Sequence, residues 1–500
     1  MAREIRNVAV VGAGIMGRGI AQVLAAGGAN VTLFDARDGA VADAIGFVGQ
    51  MFDRAVERSR MKADEAAAAK SRLTRAATLK DIAGVDLVVE AIVEELAAKR
   101  ALFAELERIV APDCVLATNT SSLSVTSIAA ACKTPARVAG FHFFNPVPLL
   151  RVVEVVSALR TAPEIADALV ALARRFGHEP VRAKDTPGFL INHAGRGFGT
   201  EGLRIVSEGI ASHAEVDDIL REACGFAIGP FELYDVIGLD VSHTVIEEIY
   251  HQFYQEPRFR PLPETRTRKD AGLYGRKTGI GFYEYRDGKK VVPEAKPVPK
   301  KLPERVWLAP DARDALTKLI GDACEIDKSA KPDARSVCIF APLGKDATSC
   351  ALEAGVEAER TLAVDTLFGL DVRRTLMTTP LTDPDLRDEV HALLARDGKL
   401  VTVIHDSPGF VAQRVVAHIV NIGCDIAQQR IASPDDIDKA VRLGLAYPKG
   451  PLGWGDALGP KRVLAVLAAL HDLYADPRYR PSPWLTRRAR LGVSLATPEN

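Results

Sequence analysis

Asp185-Thr186-Pro187-Gly188-Phe189 returns as Asp406-Ser407-Pro408-Gly409-Phe410, 221 residues later. The offset persists beyond the pentapeptide. Asp217 meets Asp438, Gly229-Pro230 meets Gly450-Pro451, Asp235 meets Asp456 and Gly238 meets Gly459. After a slip of one residue, Pro257-Arg258-Phe259-Arg260-Pro261 meets Pro477-Arg478-Tyr479-Arg480-Pro481. A self-similarity this extended means that one structural module is present twice. Residues kept by both copies are expected to hold the fold. Polar residues found in one copy only are candidates for chemistry.

Between and before the copies the pattern changes. Asn7 to Val11 is a short apolar run, read as a buried parallel strand. Further strands are expected at 30–34, 85–90, 114–118, 137–141, 152–156 and 179–183, with helices between them and a helical stretch over 38–77. This alternation predicts a parallel, doubly wound α/β sheet. From 186 to about 253 strand signals vanish and helices dominate. Residues 289–303 are rich in Lys and Pro and read as a linker. Strands at 336–341, 362–366 and 400–405 then form a shortened echo of the first sheet, and the second helical copy fills 406–500. The expected fold class is therefore α/β plus α. A doubly wound α/β domain (1–185) is followed by a helical domain (186–286) and a linker (287–335). A degenerate α/β segment (336–405) and a second helical domain (406–500) complete the chain.

Composition excludes some function classes. Lys and Arg number 64 and Asp and Glu 65, a net charge of −1, which gives nucleic acid or an anionic membrane no general hold. The local run Arg487-Arg488-Ala489-Arg490 reads as a solvated helical face. No apolar run is long enough to span a bilayer. Seven cysteines without C-x-x-C or Cys/His ligand spacing read as reduced thiols, so a cytoplasmic protein without a bound metal is expected. The opening MAREIRNVAVVGAG lacks a secretory h-region.

The loop Gly12-Ala13-Gly14-Ile15-Met16-Gly17 follows the first strand and opens a helix, and Asp35 ends the second strand 18 residues on. Gly12 permits the tight turn, Gly14 lets a pyrophosphate approach the backbone, and Gly17 lets helix and strand pack. The helix start offers free N–H groups to phosphate, so 1–185 reads as a Rossmann-type NAD-binding domain. Asp35 suits ribose hydroxyls and would repel a 2′-phosphate, favouring NAD over NADP. Arg37, two residues on, works against that preference. Past the fifth strand, in Phe141-His142-Phe143-Phe144-Asn145-Pro146, a histidine stands where such sheets bind ligands. Twelve residues on, Glu154 sits within four valines, where an unpaired carboxylate is costly. His142 is its economical partner, and a carboxylate on one imidazole nitrogen fixes the tautomer and raises basicity. Aligned at an offset of 223, the second copy has Asp365 for His142 and Met377 for Glu154; at the repeat's offset of 221, Gln413 replaces Asn192. The chemistry is expected in the first half.

The motifs VVGAGIMGRGIA, DLVVEAIVE, ATNTSSL, GFHFFNPVPLLRVVEVV, KDTPGFLIN, GPFELYDVIGLD and GRKTGIGFYEY together resemble the L-3-hydroxyacyl-CoA dehydrogenase family over residues 5–285. The second half resembles the extra helical domain of its longer members. The resemblance implies reversible NAD-dependent oxidation of a (S)-3-hydroxyacyl-CoA to the 3-ketoacyl-CoA, in fatty-acid or related acyl-CoA catabolism. His142 would be the base, Glu154 its orienting acid, and Ser121 and Asn192 the substrate contacts. Asp35, Glu94, Lys99, Asn145 and Lys277 fall on positions that contact NAD, beside the loop residues Gly12, Gly14, Ile15, Met16 and Gly17. Arg54, Arg58 and Lys62 are candidates for the CoA phosphates, or simply a solvated face. The family's Arg after the asparagine is His193 here, whereas the second copy keeps Arg414 after Gln413. Single-copy members dimerise through the helical domain, so the tandem copy implies an intramolecular pseudo-dimer, with a homo-oligomer also open. A dehydrogenase of a hydroxy acid without CoA, or a silent NAD-binding scaffold, are the alternative readings.

Overall fold

The computed structural model describes residues 4–292 and 297–499. It divides into two compact units. One comprises the chain up to His193 together with Gln429–Leu445; the other comprises Ala194–Gln428 and Ala446 onward.

The first unit is built on an eight-stranded sheet. Its strands are β1 (Asn7–Val11), β2 (Asn30–Phe34), β3 (Leu73–Arg75), β4 (Leu87–Glu90), β5 (Val115–Thr118), β6 (Val138–Phe143), β7 (Val152–Ser157) and β8 (Glu179–Lys184). They lie in the order β3-β2-β1-β4-β5-β6-β7-β8. All neighbours are parallel except β6 and β7, which run antiparallel, so the expected all-parallel sheet has one reversed pair. The strand at Leu73–Arg75 falls inside the stretch read as helical; it is three residues long and too polar to show a strand period. Pleating divides β1 between two cores. Val8 and Val10 pack on one face of the sheet with Ile20, Leu24 and Leu169. Ala9 and Val11 pack on the other with Phe103, Leu106 and Ile128.

A segment of the second helical copy belongs to this unit. The helix Pro434–Gly444 packs on β8 and β7. The Lys184 amide donates to the Ile431 carbonyl at 2.9 Å, and Lys439 pairs with Glu179 at 2.7 Å. The second helical domain is thus not the uninterrupted body 406–500 that the sequence suggests.

The second unit carries a short ladder of β9 (Tyr285–Arg286) and β10 (Lys289–Lys290) and a six-stranded sheet. The six are β11 (Arg305–Leu308), β12 (Glu325–Asp327), β13 (Val337–Phe340), β14 (Thr361–Val364), β15 (Arg373–Thr378) and β16 (Leu400–Ile404). Their order is β12-β11-β13-β14-β15-β16, and the pair β14/β15 is again reversed. The sheet therefore begins at Arg305 and not at 336. The linker shrinks accordingly, and residues 293–296 within it lie outside the described residues. β15 escaped the sequence pattern because it opens on Arg373 and Arg374. Arg374 is buried, its guanidinium satisfied by the Leu370 and Leu394 carbonyls and by Asp397.

The strand register also corrects the alignment of the copies. His142 stands opposite Glu154 across β6/β7. Across β14/β15 the pairs are Ala363–Met377 and Val364–Leu376, and the Asp365 amide donates to the Thr375 carbonyl. Thr375, not Met377, is the counterpart of Glu154; the connection between the two strands is shorter by two residues in the second copy.

Shared residues do serve the fold. Asp185 accepts from the Val125 and Thr126 amides at the start of a helix, and Asp406 accepts likewise from Ala347 and Thr348. Asp235 holds the Phe282 and Tyr283 amides, and Asp456 holds the Leu495 amide. Within the second unit the helix Ala412–Gln428 packs against Arg196–Ser207. Gly197 permits that approach, since a Cβ there would lie 3.1 Å from Ile422 and 3.3 Å from His418. The buried Arg414 braces this interface. It reaches Glu201 at 2.5 Å and Glu208 at 2.8 Å, and Arg478 and Tyr479 complete the shell of Glu201.

Candidate functional site

The glycine loop has the geometry its spacing predicts. Gly12 has φ +105°, and a Cβ there would fall 2.4 Å from the Ala91 carbonyl oxygen. A Cβ on Gly17 would fall 1.7 Å from the Gly12 carbonyl oxygen. Gly14 differs: the space its Cβ would enter is open, and it starts the helix Ile15–Ala26 without a side-chain cap. The loop therefore presents bare N–H groups at Ile15, Met16 and Gly17 and a clear approach over Gly14, a cradle that fits a pyrophosphate. Ile15 is exposed and Met16 half-buried.

Asp35 stands just past β2 and accepts the Ala13 amide at 2.8 Å. Arg37 clasps it with Nε at 3.1 Å and Nη2 at 3.0 Å. These bonds, Arg37 first, overcome partial burial and pull the carboxyl down to about 2. Asp35 is thus an anion at every working pH, with the acceptors a ribose diol needs.

Beyond β4 and β5 lies a second acidic knot. Glu94 accepts from Thr120 Oγ1 at 2.6 Å, from the Ser121 and Ser122 amides at 2.8 and 3.0 Å, and from Ser121 Oγ at 3.3 Å. Burial opposes its charge, but the Lys99 ammonium at 3.3 Å and these donors hold its pKa at about 2. Lys99 itself is buried against Glu90 at 2.6 Å, and Glu90 also takes the Thr118 hydroxyl at 2.7 Å. Glu94 and Lys99 therefore set the loop that carries Ser121. Glu90 was not singled out by sequence, although the strand run LVVE marks it as a buried carboxylate needing a partner. Asn119 was missed too: its Oδ1 accepts the Phe143 amide at 2.9 Å and ties β5 to the end of β6.

His142 lies within β6, not past a strand end, because β7 pairs with it from Gly140 to Phe143. That pairing places Glu154 directly opposite. His142 Nδ1–H donates to Glu154 Oε2 at 2.6 Å, with the imidazole 4% and the carboxylate 0% exposed. Glu154 Oε1 accepts the Leu190 and Ile191 amides at 2.9 and 2.8 Å. Phe144 and Phe189 flank the imidazole, with ring centroids at 4.4 and 5.7 Å. Asn192 follows Ile191 and is half-buried; Asn145 is exposed and precedes a cis Pro146. Arg54, Arg58 and Lys62 are all exposed, on and after the helix Ala40–Glu57. Lys277 belongs to the other unit, where it pairs with Asp240 at 2.5 Å.

Known proteins match this organisation. Residues 7–186 match the family described as 3-hydroxyacyl-CoA dehydrogenase, NAD binding domain. Residues 188–285 and 409–496 each match the 3-hydroxyacyl-CoA dehydrogenase C-terminal domain. The 3-hydroxyadipyl-CoA dehydrogenase of Escherichia coli (strain K12) is 36% identical over 98% of both chains. The chain belongs to the 3-hydroxyacyl-CoA dehydrogenase family. A crystal structure of an Escherichia coli K12 3-hydroxybutyryl-CoA dehydrogenase superposes with a TM-score of 0.86 at 35% identity, covering 98% of this chain and 99% of that one. The mitochondrial hydroxyacyl-coenzyme A dehydrogenase of Sus scrofa is 38% identical and matches 56% of this chain and 92% of its own. Family membership makes this chain an NAD-dependent oxidoreductase that oxidises the CH–OH of a hydroxyacyl-CoA. Among the described residues no helix is long and apolar enough to cross a membrane.

The second sheet keeps polar residues at the equivalent positions but not the pair. Gln413 Nε2 donates to Asp365 Oδ1 at 2.9 Å, and burial raises the Asp365 carboxyl to about 6. A folded-state value above the unfolded one means that the native state binds the extra proton. This group's contribution to stability therefore falls as pH rises from about 4 to 6. Asp365→Asn is expected to remove that slope. In urea titrations the variant should gain up to about 3 kcal/mol over wild type at pH 7 and nothing near pH 3.5.

Proposed function

We propose that His142 is the general base, held in one tautomer by Glu154, and that the first half of the chain performs the reaction. The observation that carries this is the buried 2.6 Å bond between His142 Nδ1 and Glu154, whose other oxygen is fixed by two amides. With Nδ1–H committed, Nε2 is left to take the substrate's hydroxyl proton, and Glu154 stabilises the imidazolium that results. NAD, when bound, supplies the hydride acceptor. The Gly12–Gly17 loop and Asp35 hold its pyrophosphate and ribose, with Glu94, Lys99 and Asn145 as the further contacts of that site. Ser121 and Asn192 orient the oxygen at C3, and Arg54, Arg58 and Lys62 receive the CoA phosphates. The test is an NADH-oxidation assay over a series of straight-chain and ω-carboxylated 3-ketoacyl-CoA thioesters, with the free acids as controls. Turnover of the free acids at the thioester rate would overturn the CoA assignment.

The cofactor reading makes its own prediction. Asp35→Ser removes a charged acceptor of ribose bonds worth roughly 1.5–3 kcal/mol, so KM for NADH should rise by about 10- to 100-fold. KM for NADPH should rise less, because the repelling charge has gone and Arg37 remains.

The helical copies are proposed to form an internal counterpart of a dimer. Two corresponding bonds support this: Lys184 N–H to the Ile431 carbonyl in one unit and His405 N–H to the Ile210 carbonyl in the other. Solution scattering that finds the helical modules apart would sink it. A reducing, cytoplasmic setting is proposed from seven free cysteines, of which six are buried.

A further inference from the structure

The helix Pro434–Gly444 comes from the half of the chain without the catalytic pair, yet it ends against that pair's support. Gly444 is its last residue, and a Cβ built there would lie 2.6, 3.1 and 3.3 Å from Cδ1, Cγ2 and Cγ1 of Ile191. Ile191 is fully buried, and its amide is one of the two that hold Glu154 Oε1. The helix cannot simply back away. The Ile431 carbonyl takes the Lys184 amide, Asp436 takes the Arg182 amide, and Lys439 grips Glu179.

Glycine at this place needs an explanation. Gly444 is helical and has no positive φ, so alanine is conformationally allowed. On helix propensity alone, alanine would be favoured. The internal repeat supplies the control. The counterpart of Gly444 is Ala223 and that of Ile191 is Ala412, in the copy where Thr375 replaces Glu154. The large residue and the glycine occur together, and only beside the sheet that carries the carboxylate.

We propose that Gly444 is a positioning residue for the His142–Glu154 pair: by leaving room for Ile191, it lets the Ile191 amide seat Glu154 against the imidazole. The duplicated half thereby acts on the chemistry through a packed contact, without touching the reacting groups. The inference rests on the assignment of His142 and Glu154 as base and orienting acid.

The experiment compares full-length wild type, G444A, I191V and the double variant by kcat, KM and the pH dependence of kcat/KM, with H142Q alongside. A methyl at 444 pushes Ile191 off its seat and loosens Glu154 from His142, so the imidazolium is less stabilised. G444A is expected to lower kcat by about tenfold with KM for the thioester nearly unchanged, and to move the acid limb of kcat/KM to lower pH by about half a unit. I191V deletes Cδ1, the atom that would clash most severely. The double variant should therefore return to within about threefold of wild type, with the limb restored. G444A with wild-type kcat and acid limb would overturn the proposal. So would a loss that I191V does not reverse, or one that tracks melting temperature alone. If H142Q keeps its rate, the base assignment itself has failed; an unaffected G444A beside an inactive H142Q refutes only the positioning role.

Discussion

His142→Gln is expected to lower kcat by about 10²- to 10⁴-fold, the contribution a well-placed proton acceptor makes. NADH affinity, measured by fluorescence titration, should be unchanged, because the Gly12–Gly17 loop and Asp35 do not touch the imidazole. Glutamine keeps the side chain polar and can still bond Glu154, so a loss of activity without a loss of folding isolates proton transfer. Glu154→Gln is the companion. It keeps the hydrogen-bonding volume but removes the charge that favours the imidazolium, so the acid limb of kcat/KM should move to lower pH as kcat falls. Near wild-type rates in both variants, on every thioester tested, would dismiss the assignment.

Arg414→Met is the substitution with the largest expected effect on stability. Arg414 and Glu201 are both completely buried, 2.5 Å apart, at the packing of Ala412–Gln428 on Arg196–Ser207. Removing one partner of such a pair costs about 3–5 kcal/mol when the other is fully stranded; Glu201 keeps Arg478 and is stranded only in part, so a loss of about 3 kcal/mol is expected. Chemical denaturation would measure it as a lower midpoint. Glu201 adds a pH signature. Burial opposes its charge, but Arg414 and then Arg478 hold its carboxyl below the usual range. The stabilisation this gives is present above the unfolded value near 4.5 and is lost as pH falls. Arg414→Met should therefore cost most at neutral pH and least in acid. The double variant R414M/E201Q should lose less than the two single losses combined, since the stranded charge has gone.

Legibility differed residue by residue. The glycine loop could be read because each glycine answers a local steric demand, and Gly12 and Gly17 meet those demands within one turn of chain. The pairing of His142 with Glu154 could be read because a carboxylate among valines has few affordable partners. What could not be read was that β7 runs antiparallel to β6, which draws His142 into the strand and sets the register. The connection between these strands is two residues shorter in the second copy, so Glu154 falls on Met377 when the copies are aligned by sequence and on Thr375 when they are aligned by hydrogen bonds. β15 was invisible because a strand opening on two arginines resembles a surface, until Asp397 and two carbonyls are brought to Arg374 by the fold.

From sequence alone came the duplication, the dinucleotide loop with its acid, the pairing of His142 with Glu154 and the expectation of chemistry in one half. Each rests on local spacing or on a residue's intolerance of burial, properties the chain carries before it folds. Tertiary structure decided which copy's helix covers which sheet, where Arg414 finds Glu201, and that Gly444 meets Ile191. Those contacts join residues more than two hundred positions apart, and no local pattern encodes such distances. The last of them exists because one helix of the second copy leaves its own module to pack on β7 and β8, carrying the repeat that first marked this chain into the support of its His142–Glu154 pair.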